Sequence, residues 1–356
     1  MRKLGVLMAT LAILAAACGG TPAATAAPSA APTQAAATSA PSAAPTAAAK
    51  TPMPCCKKIV AAYSNISADD WVMWYAFEKG IFKEQGLDVD MQSINGGAQT
   101  SAALLASQIQ VGQFGGSEAL SGVAGGADLV IVANMAPVYP YILYSQKAIK
   151  TVQDLKGKKV AVSNAGGSSD IATRAALKAN NLDPDKDVSI VAVGSHANRT
   201  AALLQGSIDA GVDDPPEDQE LIKNGLVPIY DLNKLPAANT GVIVQRTFLN
   251  ANKDIVQAYI DATVIARSRM AKDKDGATAV LLKYFKNDPA SNDHAYTFFI
   301  GGTSPVTPVY PAPAAEQMKD AVTILGVDND KIKTVDLAKL LDASFVKSAH
   351  DRKIGG

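Results

Sequence analysis

The chain has 356 residues, and its 33 Lys and Arg balance 33 Asp and Glu, leaving no formal net charge. That length is generous for one core and comfortable for two domains, while the neutral balance removes the broad field that nucleic acid or an anionic surface would require. Three cysteines are too few for a disulfide scaffold, and three scattered histidines give no metal-ligand spacing, so neither a metal nor a cofactor is expected.

The first residues, MRKLGVLMATLAILAAACGG, have a basic start and an apolar run from Leu4 to Ala17 that ends at Cys18. The run is short for a membrane span, which needs roughly 20 residues, and suits a secretory signal peptide over 1–17. The A-A-A-C ending resembles the lipobox of bacterial lipoproteins. That resemblance implies cleavage before Cys18, lipidation of Cys18 and an extracytoplasmic protein anchored to the cell membrane. From 18 to 56 the chain is rich in Ala, Pro and Thr and has almost no large apolar residue. Such a segment cannot bury a core. As flexible coil it makes a tether with an end-to-end distance of roughly 30–36 Å.

From Lys57 the pattern changes to short apolar runs alternating with helical spacings. KKIVAAYS reads as a strand. DDWVMWYAFEKGIF reads as a helix with Asp69 and Asp70 in its first turn. LDVDMQSI alternates as a strand, GAQTSAALLASQ is helical, VGQFG is a short strand, and a helix from Ser117 leads to the strand DLVIVANM. Strands alternating with helices imply parallel pairing and an α/β fold. Helices are also expected over 256–270 and 314–325, after which nothing rises above scaffold.

The chain then repeats itself. Residues 62–118 set against 161–217 give 15 identities in 57 positions, including both AALL tetrads and the pairs Ser64/Ser163, Asn65/Asn164 and Gly112/Gly211. Two copies of so long a period predict two similar α/β lobes rather than a solenoid. The shared letters fall in strands and helix faces. The differing letters fall after strands: NISADD against NAGGSS, NGGAQ against GSHAN, and FGGS against DDPP. Ligands of open α/β sheets sit beyond the carboxyl ends of strands, so these loops are expected to line one cleft.

That places Ser64, Asn65, Gly97, Gln99, Gly116 and Ser117 on the first lobe's wall and Asn164, Gly167, Ser168 and Ser169 on the second. Gly and Ser at helix starts suit anion binding through free N–H groups and the helix dipole. They are equally ordinary turn residues. Trp71 and Tyr139 are candidate aromatic walls for a flat solute. His196 and Asn198 open the second copy's helix and are candidate contacts. Arg199 is either a contact or a surface residue. Asp213 and Asp214 either accept hydrogen bonds from the solute or cap the helix after Pro215 and Pro216.

YAFEKGIFKEQGLDVDM, AALLASQIQVGQFGGSEAL, VQDLKGKKVAVSNAGGSS and AALLQGSIDAGVDDPPE occur in this order. The set resembles the solute-binding proteins of ABC importers for aliphatic sulfonates, nitrate and taurine. The same superfamily contains binders and synthases of the thiamine pyrimidine. The resemblance implies a type II periplasmic binding protein: two lobes, each a mixed sheet flanked by helices, joined by crossover strands near 140–147 and 240–246. Lobe one would comprise 57–145 plus 246–356, and lobe two 146–245. It implies a monomer that captures a small organic solute, a sulfonate, taurine or nitrate-like anion being favoured, and passes it to an ABC permease with its ATPase. The alternatives are a binder of a pyrimidine or flavin-type heterocycle, or an enzyme such as a pyrimidine synthase or dehydratase. Enzyme activity is not expected, because no acid–base pair stands out. The segment Val212-Asp213-Asp214-Pro215-Pro216 departs from the family, which usually places an aromatic or apolar residue before a single acidic-Pro pair.

Overall fold

The computed structural model describes residues 56–286, 288–302 and 304–356. The expected signal peptide, Cys18 with its lipid, and the tether as far as Cys55 lie outside the described residues.

Among the described residues, ten strands form two five-stranded sheets. They are β1 (Lys57–Tyr63), β2 (Leu87–Ser93), β3 (Val111–Phe114), β4 (Leu129–Val138), β5 (Ile142–Ser145), β6 (Lys159–Val162), β7 (Ser189–Ala192), β8 (Ala210–Asp213), β9 (Val227–Asp231) and β10 (Pro236–Gln245). The first sheet runs β2-β1-β3-β10-β4 and the second β7-β6-β8-β5-β9. In each sheet the first three strands are parallel, and the inserted fourth strand is antiparallel to both its neighbours. This is the mixed-sheet α/β architecture that the repeat predicts.

The repeat is reproduced residue by residue in the pairing. Val60 faces Asp90 in the first sheet, and Lys159 faces Ser189 in the second. Ala61 faces Val111, and Val160 faces Ala210. Every one of these partners is displaced by 99. The same offset relates the inserted strands, where Gly241 faces Phe114 and Ile142 faces Asp213. The duplication therefore extends past the stretch visible as letter identities, because register is set by burial of one face rather than by particular residues.

Strand membership moves the expected lobe boundaries. β5, assigned in sequence to the end of lobe one, bonds to β8 and β9 of the second sheet. β10, assigned to lobe two, bonds to β3 and β4 of the first. The chain changes sheets at 139–141 and again at 232–235. Each inserted strand thus precedes its expected boundary, since backbone pairing and not the tertiary path decides which sheet a strand completes.

The Trp71–Glu78 and Lys253–Met270 helices pack together over the first sheet, burying Trp71, Trp74, Phe82 and Tyr259 in one cluster. Fully burying one such side chain contributes roughly 1.5–3 kcal/mol. A second cluster includes Ile131 and Ile243 from the first sheet and Leu143 and Val160 from the second. It makes one compact body of both halves. The Lys319–Leu325 helix joins this seam, packing on the Gly116–Ala124 helix and on the Ser168–Ala179 helix.

Candidate functional site

Between the two halves, at the carboxyl ends of β1, β3, β6 and β7, lies a cleft. Four helices start there: Gly97–Leu105, Gly116–Ala124, Ser168–Ala179 and His196–Leu204. Gly97, Ser168 and His196 lie on the wall, as does Gly115 just before the Gly116–Ala124 helix, so the positive helix ends converge on one space. The halves are closed on each other. The centre of a water-sized sphere can reach about 70 Å³ of the cleft. One water needs roughly 10–15 Å³ on that measure, so a solute of a few heavy atoms fits.

Of the sequence candidates, Ser64, Asn65, Gly97, Asn164, Gly167, Ser168, Ser169 and His196 line this cleft. Equivalent residues of the repeat meet across it: Ser64 and Asn65 from one half, Ser163 and Asn164 from the other. Gly115 marks the closest approach, because a Cβ there would lie 2.3 Å from the Ser168 hydroxyl and 2.1 Å from the Glu118 carboxylate. The Ser168 hydroxyl donates to the Asn239 carbonyl at 3.3 Å.

The other candidates do not line it. Trp71 is fully buried, and its indole N–H donates to the Ala277 carbonyl at 3.0 Å. A 3-10 turn, Ala68–Asp70, precedes the helix and brings Asp69 and Asp70 to the cleft in the indole's place. Tyr139 is buried against Asp320, to which its hydroxyl donates at 3.2 Å, so it offers no stacking face to the cleft. Gln99 and Asn198 are exposed on their helices, and the Asn198 amide donates to the Val193 carbonyl. Gly116 is a packing position, where a Cβ would meet Ala238 at 2.5 Å. The Ser117 hydroxyl donates to Glu118 at 2.7 Å and so steadies a carboxylate that does reach the wall.

Asp213 and Asp214 sit behind His196, fully buried. The His196 Nε2 lies 2.6 Å from Asp213 and 3.6 Å from Asp214. Asp213 also accepts from the Thr200 hydroxyl at 2.7 Å, and Asp214 from the Ser67 hydroxyl of the other half at 3.1 Å. Burial alone would lower the imidazole, but the two carboxylates overcome it and raise His196 to about 9. Burial opposes ionisation of Asp213 too, yet His196 holds it below the usual carboxylate range. Asp214, more buried than paired, is pushed well up by burial. Burial also raises Glu217, to about 7, and Glu118. Donor atoms of His196, Asp213 and Asp214 lie within 4.8 Å of one another. Linear spacing gave no sign of that grouping. The imidazolium already supplies the positive charge that Asp213 needs.

Arg199 is the principal residue that sequence reasoning left undecided. It is 1% exposed, its Nη1 donates to the Ser163 hydroxyl at 2.7 Å, and its guanidinium lies 5.9 Å from the centre of the Tyr141 ring. Its Nε and Nη2 have no protein partner. Its counterpart in the repeat is Thr100, whose hydroxyl turns back to the Ile94 and Gly96 carbonyls. Asp69, Asn239 and Thr240 were missed altogether. Asp69 looked like an ordinary first-turn acid, and Asn239 and Thr240 sit in a strand read only as a crossover. Their signal in the sequence was position: AANT directly precedes the apolar run of β10 and so lies at a strand end.

A cleft between two duplicated α/β halves, floored by helix starts and a buried guanidinium, has the two-lobed fold of the type II periplasmic binding proteins. Residues 70–277, more than half of the chain, match the model of the family described as NMT1/THI5 like, and the chain belongs to that family. A curated relative from Escherichia coli K12, named "Putative aliphatic sulfonates-binding protein", is 28% identical over 192 residues, 52% of this chain and 59% of the relative. The solved periplasmic aliphatic sulphonate binding protein SsuA from Escherichia coli superposes with a TM-score of 0.66 at 22% identity, covering 82% of this chain and 99% of that one. The periplasmic nitrate-binding protein NrtA from Synechocystis PCC 6803 superposes with a TM-score of 0.69 at 13% identity, covering 83% and 89%. Both solved structures share the fold. Among the described residues no helix is long and apolar enough to cross a membrane.

Proposed function

We propose that this protein is the extracytoplasmic solute-binding component of an ABC importer. It captures a small solute bearing an acidic group in the cleft between its halves and delivers it to a membrane permease driven by an ATPase. The observation that carries this reading is Arg199: a buried guanidinium with two nitrogens, Nε and Nη2, free of protein partners, placed where four helix N-termini converge. Charge-assisted bonds from a guanidinium, with helix ends each adding roughly 0.3–1 kcal/mol, are how a protein holds a desolvated anion. The names of the relatives support the same solute class. Lipidation at Cys18 and the tether would keep a monomer near its permease while leaving it free to turn. Both the cleft's small volume and Tyr139's retreat into the core weigh against a flavin. No cysteine lines the cleft among the described residues, so the site lacks the nucleophile that most readily turns a binding cleft into an enzyme.

A thermal-shift panel of ethanesulfonate, taurine, nitrate, hydroxymethylpyrimidine and riboflavin tests the reading. Stabilisation by the small acids supports it. Stabilisation by a heterocycle alone would replace the solute class, and mass spectrometry showing a chemically altered solute would replace binding with catalysis.

A further inference from the structure

On the cleft wall the chain supplies an acid of its own. Glu118 stands in the first turn of the Gly116–Ala124 helix and lines the cleft. Three glycines make room for its carboxyl. A Cβ on Gly97 would come within 2.5 Å of Glu118 Oε1, one on Gly167 of the second half within 3.2 Å of the same oxygen, and one on Gly115 within 2.1 Å of Oε2. These glycines open or immediately precede three of the four helices that start at the cleft. The place that helix ends prepare for an anion is therefore shared with a carboxyl built into the chain. Among the described residues its side-chain partner is the Ser117 hydroxyl, which donates at 2.7 Å, and no cation pairs with it. The other ionisable groups of the wall are already engaged or stand on the far half. Asp69 is held by Asn239 and Thr240, Asp70 accepts from the Gln113 amide at 2.7 Å, His196 is paired with Asp213, and Arg199 belongs to the second half. Of the elements packed on the Gly116–Ala124 helix, Gly97–Leu105, β4 and β10 carry no charged side chain. The Ser168–Ala179 helix brings Asp170, which is bound to Arg174 and the Gly166 N–H, and an exposed Lys178. The Lys319–Leu325 helix brings an exposed Lys319 and Asp320, which accepts from Tyr139, and Asp330–Lys333 brings only exposed charges.

A solute acid held against the start of the Ser168–Ala179 helix lies beside this carboxyl, since Gly167 immediately precedes that helix. Two negative groups side by side out of water repel strongly, and neutralising one of them relieves the site. Burial already favours the neutral form of Glu118. Resting on the reading of the cleft as an acid-binding solute site, we propose that Glu118 makes capture of the acid proton-linked: its carboxylate takes one proton from solvent as the acid enters, and the neutral carboxyl donates that hydrogen to an oxygen of the acid. The solute keeps its charge, and the complex gains one proton. Glu118 thereby selects acids that arrive ionised with an oxygen left to accept, and the protein holds them more tightly in acidic surroundings than in alkaline ones. Its counterpart in the repeat, Glu217, lies off the cleft wall and takes no such part.

Titration calorimetry of the full chain with ethanesulfonate and with nitrate, from about pH 5 to about pH 8, tests this. Both probes stay fully ionised over that range, so a change in affinity comes from the protein. Uptake of one proton weakens binding by up to about 10-fold for each unit that pH rises. The expected loss across the range is therefore about 10-fold or more for an acid that binds, and titrations in two buffers of different ionisation enthalpy should show about one proton taken up towards the alkaline end. Glu118→Gln keeps a hydrogen-bond donor and removes the titration. Its affinity should stay within about 3-fold across the range and at the alkaline end should match or exceed that of the unmodified protein, whereas Glu217→Gln should keep the full pH dependence. Affinity that stays within about 3-fold in the unmodified protein, or a fall that persists in Glu118→Gln, overturns the proton link while leaving the acid-binding site standing. Binding of neither probe anywhere in the range overturns the acid-binding reading and this proposal with it. The pH profile and proton count of the unmodified protein need no variant to fold.

Discussion

His196 is held charged chiefly by Asp213, 2.6 Å away, and Asp213 stays ionised in its buried site because His196 is charged. Removing one partner of such a group leaves the other uncompensated, which costs about 3–5 kcal/mol. His196→Ala should therefore lower the unfolding free energy from urea titration by that amount, whereas a surface His350→Ala should not. The pH dependence follows from the direction of the shifts. His196 is raised from 6.5 to about 9, so its stabilisation is complete below about pH 6.5 and is lost as pH climbs through 9. Glu217 is raised from 4.5 to about 7, so its contribution is likewise lost between those values as pH rises. Both push the same way. The melting temperature should fall from pH 6 to pH 9.5, and His196→Asn should flatten the upper part of that fall. Arg199 acts on the solute rather than the fold. Arg199→Gln should weaken binding of an acid-bearing solute by roughly 30-fold or more, as loss of a buried charged contact does, while His196→Asn weakens it less. At this scale the sequence was hardest to read. A lone Arg in a helical pattern looks the same whether its guanidinium meets water or a cleft, and Trp71 looks the same whether it faces a ligand or Ala277. Burial distinguishes them, and burial is set by elements far away in the chain.

Elements were far more legible, because a strand or helix announces itself through periodicity in its own residues. The strands from β1 to β4 were placed within a few residues. The duplicated letters also predicted two like halves, which the 99-residue displacement of the parallel strand pairings reproduces. What periodicity could not give was the exchange of β5 and β10 between sheets, since an apolar run does not name its neighbour. The helix starts were legible as Gly and Ser clusters, but not which glycine is there for closeness. The structure separates them. Gly116→Ala would push a Cβ to 2.5 Å from Ala238 and 2.9 Å from its carbonyl oxygen, on the strand β10. Backbone cannot yield there, and such overpacking typically costs about 1–3 kcal/mol. Gly115→Ala meets side chains of the cleft wall instead, Glu118 and Ser168. Its effect should appear chiefly as weaker solute binding and a more open particle, read by calorimetry and small-angle scattering, with a smaller loss in melting temperature than Gly116→Ala.

Across the whole molecule, the two halves meet through contacts that need no solute. Ser67 donates to Asp214, His294 lies 3.3 Å from Asp218, and Lys223 pairs with Asp288. The Ser67–Asp214 bond is buried, whereas the Lys223–Asp288 pair is exposed, and such ion pairs contribute about 0–1 kcal/mol each. A solute that contacts both halves can decide between open and closed. The duplication supplies the frame, and the unlike loops supply the walls of the cleft. The measurement that tests this most directly is a difference electron-density map of the protein co-crystallised with its tightest-binding small acid. The account predicts density in the cleft with the acid within roughly 2.7–3.2 Å of Arg199 Nε or Nη2, against the start of the Ser168–Ala179 helix. Density on the outer face of either sheet, or in the cleft but turned away from Arg199, would contradict it.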